Sequence, residues 1–393
     1  MKLLVFAHVP PPHHGQSAMV KLMVERLPEF ACADIQVLHV DARLSDTIDD
    51  VGQGRLIKLL RLLRFAFQAI RLRFTQGVRD FYYVPAPPKP SAMLRDWVVM
   101  LLCRPFFPRI YLHWHAVGLG DWSVKATQSE AISTRLAGWL NLRLLGGHHR
   151  SLVLTTWGRK DIEPFCPRSV EIVPNGITDP CPDFASELSS RRVRRVEQLR
   201  SGDFEMFRVA FLGHCTGEKG LWDAMEAVAL AASKGHRIML RIAGEFPSDE
   251  DRSHFHQLRD KLANNHGIDP RLIEHVGFVG GEAKRNFISN SDVLCFPTKY
   301  HAESFGLVAV EAMAFGIPTV ATDWRMVPGI MALADLPVSA VGKPESIANG
   351  LIAAIGRDDP RTLRAVFLEH FTEQAHLQAL ANGLATDASA SAP

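Results

Sequence analysis

The chain has 393 residues, too many for one ordinary domain, so two of roughly 180 residues each are expected. Hydrophobic residues make up 47 % and charged residues 22 %, the balance of a globular protein, and no apolar run approaches the roughly 18 residues of a membrane span. The net charge of +2 hides an asymmetry: residues 1–180 hold 22 Lys and Arg against 15 Asp and Glu, net +7, and the remainder is net −5. The halves therefore suit different partners, the first an anionic one. Six scattered cysteines form no C-x-x-C pair, which with no export signal points to reduced thiols in a cytoplasm.

The opening "MKLLVFAHVPPPHHG" has an apolar run broken by His8 and three prolines, so it reads as a first buried strand and loop, not a signal peptide. A helix near Ser17–Leu27 and the strand "IQVLHV" follow. After a helical stretch come "RDFYYV", "RIYLHWH", "SLVLTTW" and "VEIVPNG". A domain boundary is expected near 178–205, where prolines and serines accompany five arginines that read as a solvated helix face. The second series runs "FRVAFLG", a helix through "LWDAMEAVALAASKG", "RIMLRIAG", a helix over 251–265 and "IEHVGFVG". It continues with a helix over 282–289, "DVLCFPT", a helix within "SFGLVAVEAMAFG" and "IPTVATD"; the final "ATDASASAP" reads as disordered. Strands alternating with helices predict parallel sheets covered on both faces. Two such series predict an α/β protein of two doubly wound domains facing a cleft, where ligands meet the carboxyl ends of the strands.

Residues 54–74, "GRLIKLLRLLRFAFQAIRLRF", hold six basic residues and no acid. Lys58, Arg61, Arg64, Gln68 and Arg71 fall within one arc at helical spacing, and Leu, Ile and Phe fill the rest. Two readings stand: a surface helix of the core, or a helix lying on anionic lipid, with Arg55, Lys58, Arg61, Arg64 and Arg71 as membrane or acceptor contacts.

Glu303 and Glu311 sit in the almost wholly apolar "HAESFGLVAVEAMAFGIPTVATDW" (301–324), where an unpaired buried carboxylate costs several kcal/mol by rough reckoning. Ser304 is expected to cap the helix and Gly316 to end it. The amides of Phe305, Gly306 and Leu307 then lie unpaired at a helix start, where the dipole attracts phosphate, and Gly306 permits close backbone approach. With all eight intervening steps helical, Glu311 lies roughly 12 Å further along. A carboxylate there is suited to two adjacent hydroxyls such as a ribose diol. The pair thus brackets a nucleotide sugar: diphosphate on the amides, sugar hydroxyls at Glu303, ribose at Glu311.

The spacing E303-SFGLVAV-E311-AMAFGIPTVATD resembles the E-x7-E signature of the retaining glycosyltransferases of family 4, which have the GT-B fold. "FLGHCTGEKGLWDAMEA" (211–227) resembles the same family's strand–loop–helix, whose lysine, here Lys219, binds the donor diphosphate. "VPNGI" (173–177), "PPPHHGQSAMV" (10–20), "LHWHAVG" (112–118) and "FLEHFTEQAHLQAL" (367–380) resemble, in turn, the end of the first domain, the Gly-containing loop after the first strand, the active-site histidine segment and the C-terminal helix. The resemblance implies an acceptor-binding domain over 1–178 and a donor-binding domain over 179–360. A helix over 361–384 crosses back onto the first domain, and a disordered tail fills 385–393. It implies catalytic roles for His115, Lys219 and Glu303. Donor binding falls to Gly15, His214, Lys219, Phe278, Glu303, Phe305, Gly306, Leu307 and Glu311.

His115 is preferred to His113, which is expected on the opposite face of the strand; a packed strand-end histidine is the other reading of His115. His214 departs from the family, which commonly has an arginine there, so Lys299 or Arg325 is expected to add positive charge. The implied reaction moves a hexose-type sugar from a UDP- or GDP-sugar to a lipid-linked or polysaccharide acceptor, in bacterial surface glycan biosynthesis. It needs no cofactor and no metal. The expected location is cytoplasmic, peripheral on the inner face of the plasma membrane, with an anionic membrane surface as a further partner. The competing reading is a degenerate homologue that binds a glycan or a partner without turnover.

Other chemistries find less support. No H-E-x-x-H or Cys/His ligand spacing suggests a metal, and "GHCTGEKG" misses the P-loop pattern. Gly52-Gln-Gly54 follows no strand, and nucleic acid is not expected as a partner because the basic stretches lack interleaved aromatics on a reading surface.

Overall fold

The computed structural model describes residues 1–11, 15–30, 35–44, 55–147, 149–301 and 303–385, with the backbone alone for Arg55 and Leu56. The tail expected over 385–393 lies outside them except for Ala385, as do His13 and His14. The chain forms two units, Met1–Gly176 with the stretch from Glu373, and Ile177–Thr372.

The first unit contains β1 (Lys2–Phe6), β2 (Gln36–Val40), β3 (Asp80–Tyr83), β4 (Arg109–Trp114), β5 (Arg150–Val153) and β6 (Ser169–Ile172). All pairings are parallel, in the order β2-β1-β3-β4-β5-β6. Its helices are α1 (Gly15–Phe30), α2 (Arg55–Thr75), α3 (Pro90–Cys103), α4 (Leu119–Thr127), α5 (Ile132–Leu144) and α6 (Gly158–Ile162).

The second unit contains β7 (Phe207–Leu212), β8 (Ile238–Ala243), β9 (Ile273–Gly277), β10 (Val293–Phe296), β11 (Thr319–Thr322) and β12 (Val338–Ser339), again parallel, in the order β12-β11-β10-β7-β8-β9. Its helices are α7 (Ser189–Ser201), α8 (Leu221–Ser233), α9 (Asp249–His266), α10 (Gly281–Ser289), α11 (Leu307–Ala314), α12 (Val327–Leu333), α13 (Pro344–Ala353) and α14 (Pro360–His370). The closing helix α15 (Glu373–Ala385) belongs to the first unit. The single helix expected over 361–384 is therefore two. Phe371 gives its carbonyl to the Ile177 amide at 2.8 Å and Thr372 bridges Ile177, which draws the backbone out of helical geometry between them.

Alternation along the strands divides the first unit's core. Leu4, Phe6, Phe81, Tyr83, Leu112 and Trp114 pack with α2 and α3 on one face of the sheet. Leu3, Val5, Tyr82, Tyr111 and Leu152 pack with α1 and α15 on the other, where Tyr111 donates its hydroxyl to the Leu384 carbonyl at 3.2 Å. In the second unit β7, β8 and β10 bury Phe207, Val209, Ile238, Leu240, Val293 and Cys295 around α8.

The arginine-rich segment forms α7, but it is not simply solvated. Arg192 is only 3 % exposed and donates to the Ser291 carbonyl at 2.7 Å, while Arg195 grips Asp292 through Nε at 2.9 Å and Nη2 at 2.7 Å. Asp292 is buried at the foot of β10, and without these cations it would be an unpaired charge.

A buried polar cluster joins α15 to the first sheet. His113 Nδ1 and Tyr82 Oη lie 2.6 Å apart, the His113 ring is stacked 6.4 Å from that of His376, and His376 Nδ1 donates to the Pro174 carbonyl at 2.6 Å. Burial lowers the pKa of both histidines, and for His113 the neighbouring His115 and His376 lower it further. In the unfolded chain a histidine takes up a proton near pH 6.5. The folded chain resists it, so this stability is complete above that pH and is lost as the pH falls towards the folded values. Stability against urea is expected to fall below about pH 6.5 by roughly 1.4 kcal/mol per pH unit for each histidine kept neutral. A midpoint independent of pH between 7 and about 5 would refute this.

Candidate functional site

In the second sheet the chain runs from β7 outward to β9, then returns to lay β10 on the other side of β7. The segments after β7 and β10 thus leave neighbouring strands in opposite directions, which opens a crevice at their carboxyl ends. Two contacts join these segments. The Lys299 amide donates to the Glu218 carbonyl at 2.9 Å. Gly220, at φ 82°, approaches so closely that a Cβ would lie 2.0 Å from the Pro297 carbonyl oxygen. No other residue fits there, on conformation and on space.

This union brings Lys219 and Glu303 together. Lys219 Nζ lies 2.7 Å from Glu303 Oε2, and the two side chains are 23 % and 12 % exposed. The Thr298 hydroxyl donates to the same Oε2 at 3.3 Å, and the Lys219 ammonium stands 4.6 Å from the centre of the Tyr300 ring. Thr322 and Trp324 fix this segment from the next strand by donating to the carbonyls of Thr298 and Tyr300 at 2.7 and 2.8 Å. No spacing or motif singles out Thr298 or Tyr300, because their relevance depends on how the segment before Glu303 turns.

That turn also shortens the helix. α11 begins at Leu307, with Gly306 at φ 77° as its N-cap and no side-chain cap, so Ser304 does not cap it. The left-handed Gly306 crosses above Phe296, whose ring would lie 2.6 Å from an added Cβ, and it cannot belong to a right-handed helix. Phe305 is buried against Phe371, ring centres 6.0 Å apart, and its amide precedes the helix. Only the four steps from Leu307 to Glu311 are helical, a rise of roughly 6 Å instead of 12 Å. The helix ends as expected, with Gly316 left-handed at φ 63°.

Glu311 is not an unpaired acid. Lys284, on α10, places its ammonium 2.7 Å from both oxygens of the carboxylate. Nothing in sequence spacing pairs α10 with α11. His214 is exposed in the segment after β7, and Phe278, 73 % exposed, follows β9. Of the two cations offered in compensation for His214, one is already paired. Lys299 pairs with Asp223 at 2.9 Å, and Arg325 lies over the Trp324 ring at 5.4 Å.

Gly15 and His115 belong to the first unit. Gly15 opens α1, and His115 is buried just beyond β4. The expectation that His113 faces away from it is wrong: the two rings lie 4.1 Å apart, because residues two apart on a strand share a face. Among the described residues no three His, Cys, Asp or Glu side chains gather as a metal site would require.

The comparisons with known proteins bear on this region. One relative is the GDP-mannose-dependent alpha-(1-6)-phosphatidylinositol dimannoside mannosyltransferase of Mycobacterium tuberculosis, 26 % identical over 57 % of this chain and 54 % of its own. Another is the capsular polysaccharide biosynthesis glycosyltransferase CapM of Staphylococcus aureus, 28 % identical over 30 % of this chain and 28 % of its own. The chain spans between 24 % and 54 % of the length of the curated relatives it matches. Among solved structures, Anabaena HepE in complex with UDP superimposes at a TM-score of 0.62 with 15 % identity, over 98 % of this chain and all of that one. This likeness shows the fold, that of the GT-B glycosyltransferases. Residues 199–363, which hold Lys219, Lys284, Glu303 and Glu311, match the family model of the glycosyl transferases group 1.

Proposed function

We propose that the chain is a retaining glycosyltransferase of family 4 that moves a hexose-type sugar from a UDP- or GDP-sugar to a lipid-linked or polysaccharide acceptor in surface glycan assembly. The observation that carries this reading is the Lys219–Glu303 pair at the crossover of the second sheet, just before the start of α11. An arriving diphosphate carries more negative charge than Glu303 and competes with it for the Lys219 ammonium. Glu303, released, accepts hydrogen bonds from the sugar hydroxyls, and Glu311, braced by Lys284, accepts from a ribose diol. The acceptor oxygen bonds to the anomeric carbon on the face from which the diphosphate leaves. The departing oxygen keeps the electron pair of the broken bond and takes the acceptor's proton. Lys219 and the first amides of α11 hold the growing negative charge.

The second reading, a homologue that binds without turnover, is favoured by the exposed His214 in the place of an arginine. Nucleotide release from a panel of UDP-, GDP- and ADP-sugars with lipid extract separates the two: release with one donor supports the enzyme, and none with any pairing supports the binder. Lys219→Ala and Glu303→Gln are expected to lower kcat/KM by about 10²–10³, measured below a melting temperature that each lowers by leaving one shielded charge without its partner. Unchanged turnover in either would remove the pair from the mechanism.

Lys284→Ala is expected to raise KM for the donor about tenfold and leave kcat nearly constant, since it touches the ribose end of the site. Equal losses in kcat and kcat/KM would instead place Lys284 at the reacting end.

A further inference from the structure

Helices α2, α3 and α5 lie side by side, α2 against α3 and α3 against α5, with α4 behind α5. Each buries an inward stripe, with Leu62, Ala66 and Ala69 on α2, Met93, Val99 and Met100 on α3, and Gly138 and Asn141 on α5. Their outward stripes are also apolar. On α2, Ile57, Leu60, Phe67 and Phe74 recur at helical spacing with Arg64 and Arg71 between them. On α3 the exposed apolar residues are Leu94 and Leu101, with no exposed charge between them. On α5 it is Ile132, Leu136 and Trp139 with Arg135 and Arg143. Of the 18 large apolar residues exposed among the described residues, 11 lie on these helices and the turn that follows α3. The end of α2 is joined to that turn: Arg73 donates to the Phe106 carbonyl at 2.8 Å, and the Phe74 and Phe106 rings meet edge to face at 5.9 Å.

Charge decides what this face suits. Among the described side chains the three helices carry one carboxylate, Asp96. It is fully buried and held by the Tyr83 hydroxyl at 2.6 Å, the Ala86 amide at 2.7 Å and Arg95. The outward face therefore shows arginine and lysine and no acid. A second copy laid symmetrically on it would bring cation against cation. An anionic bilayer takes the apolar side chains at headgroup depth and the cations among its phosphates. None of the helices is long and apolar enough to cross a membrane.

We propose that α2, α3 and α5 together form a docking face for an anionic lipid bilayer, with all three helices supplying apolar contact. This enlarges the sequence-based reading of α2 alone, and it stands independently of the transferase reading.

The test is cosedimentation of the full chain with vesicles of phosphatidylcholine alone and of phosphatidylcholine with about a third phosphatidylglycerol. Binding is expected to the second and not the first, and to weaken as salt rises. Trp139 is expected to contribute a blue shift in emission on binding that Trp139→Phe removes. Leu101→Asp and Leu136→Asp should each weaken vesicle binding at least tenfold with the melting temperature unchanged and vesicle-free nucleotide release unaltered. Equal binding to both vesicles, or full binding by both variants, overturns the proposal. So does a dimer in solution that Leu101→Asp dissociates and that binds no vesicle.

Discussion

The Lys219–Glu303 ion pair is the constraint on which the second unit's architecture turns. Two largely shielded opposite charges are tolerable only in contact, and they come from segments 84 positions apart in sequence. Their contact requires β7 and β10 to be neighbours, which in turn requires the chain to reverse its direction of travel across the sheet. The glycine at 220 lets the two segments meet, and the threonines at 298 and 322 keep the second from drifting. In the proposed reaction the same pair responds to the donor. An ammonium already held by one carboxylate is available to a stronger anion, and its departure frees an acceptor for neighbouring hydroxyls.

Much of this was legible in the sequence because strand and helix periods are local. The parallel strands from β1 to β11 follow from short apolar runs, and Lys219, Glu303 and Glu311 follow from a spacing that resembles a known one. What the sequence did not show depends on contacts between distant elements. Lys284 partners Glu311 from another helix, and Asp292 draws Arg192 and Arg195 out of solvent. The start of α11 was misplaced because Ser304 is a good cap in isolation, yet Gly306 must turn over Phe296 before the helix can form. The facing of His113 was a different kind of miss: the period of a strand already puts it beside His115.

The first unit treats the two faces of its sheet differently. One is closed by α1 and α15, which bring apolar side chains, the Tyr111–Leu384 hydrogen bond and a neutral histidine pair. The other is covered by helices that are apolar on both sides. A helix with an apolar stripe on its outer surface has the pattern of an element meant to be covered twice. The sheet covers α2 and α3 once, and α4 covers α5. The first half's basic residues include six on α2, which has no acid, with Arg64 and Arg71 on the side left open. Composition, helix patterning and burial thus converge on one surface, and its chemistry is that of a basic, apolar face without carboxylates, which favours an anionic layer over another protein face of the same kind.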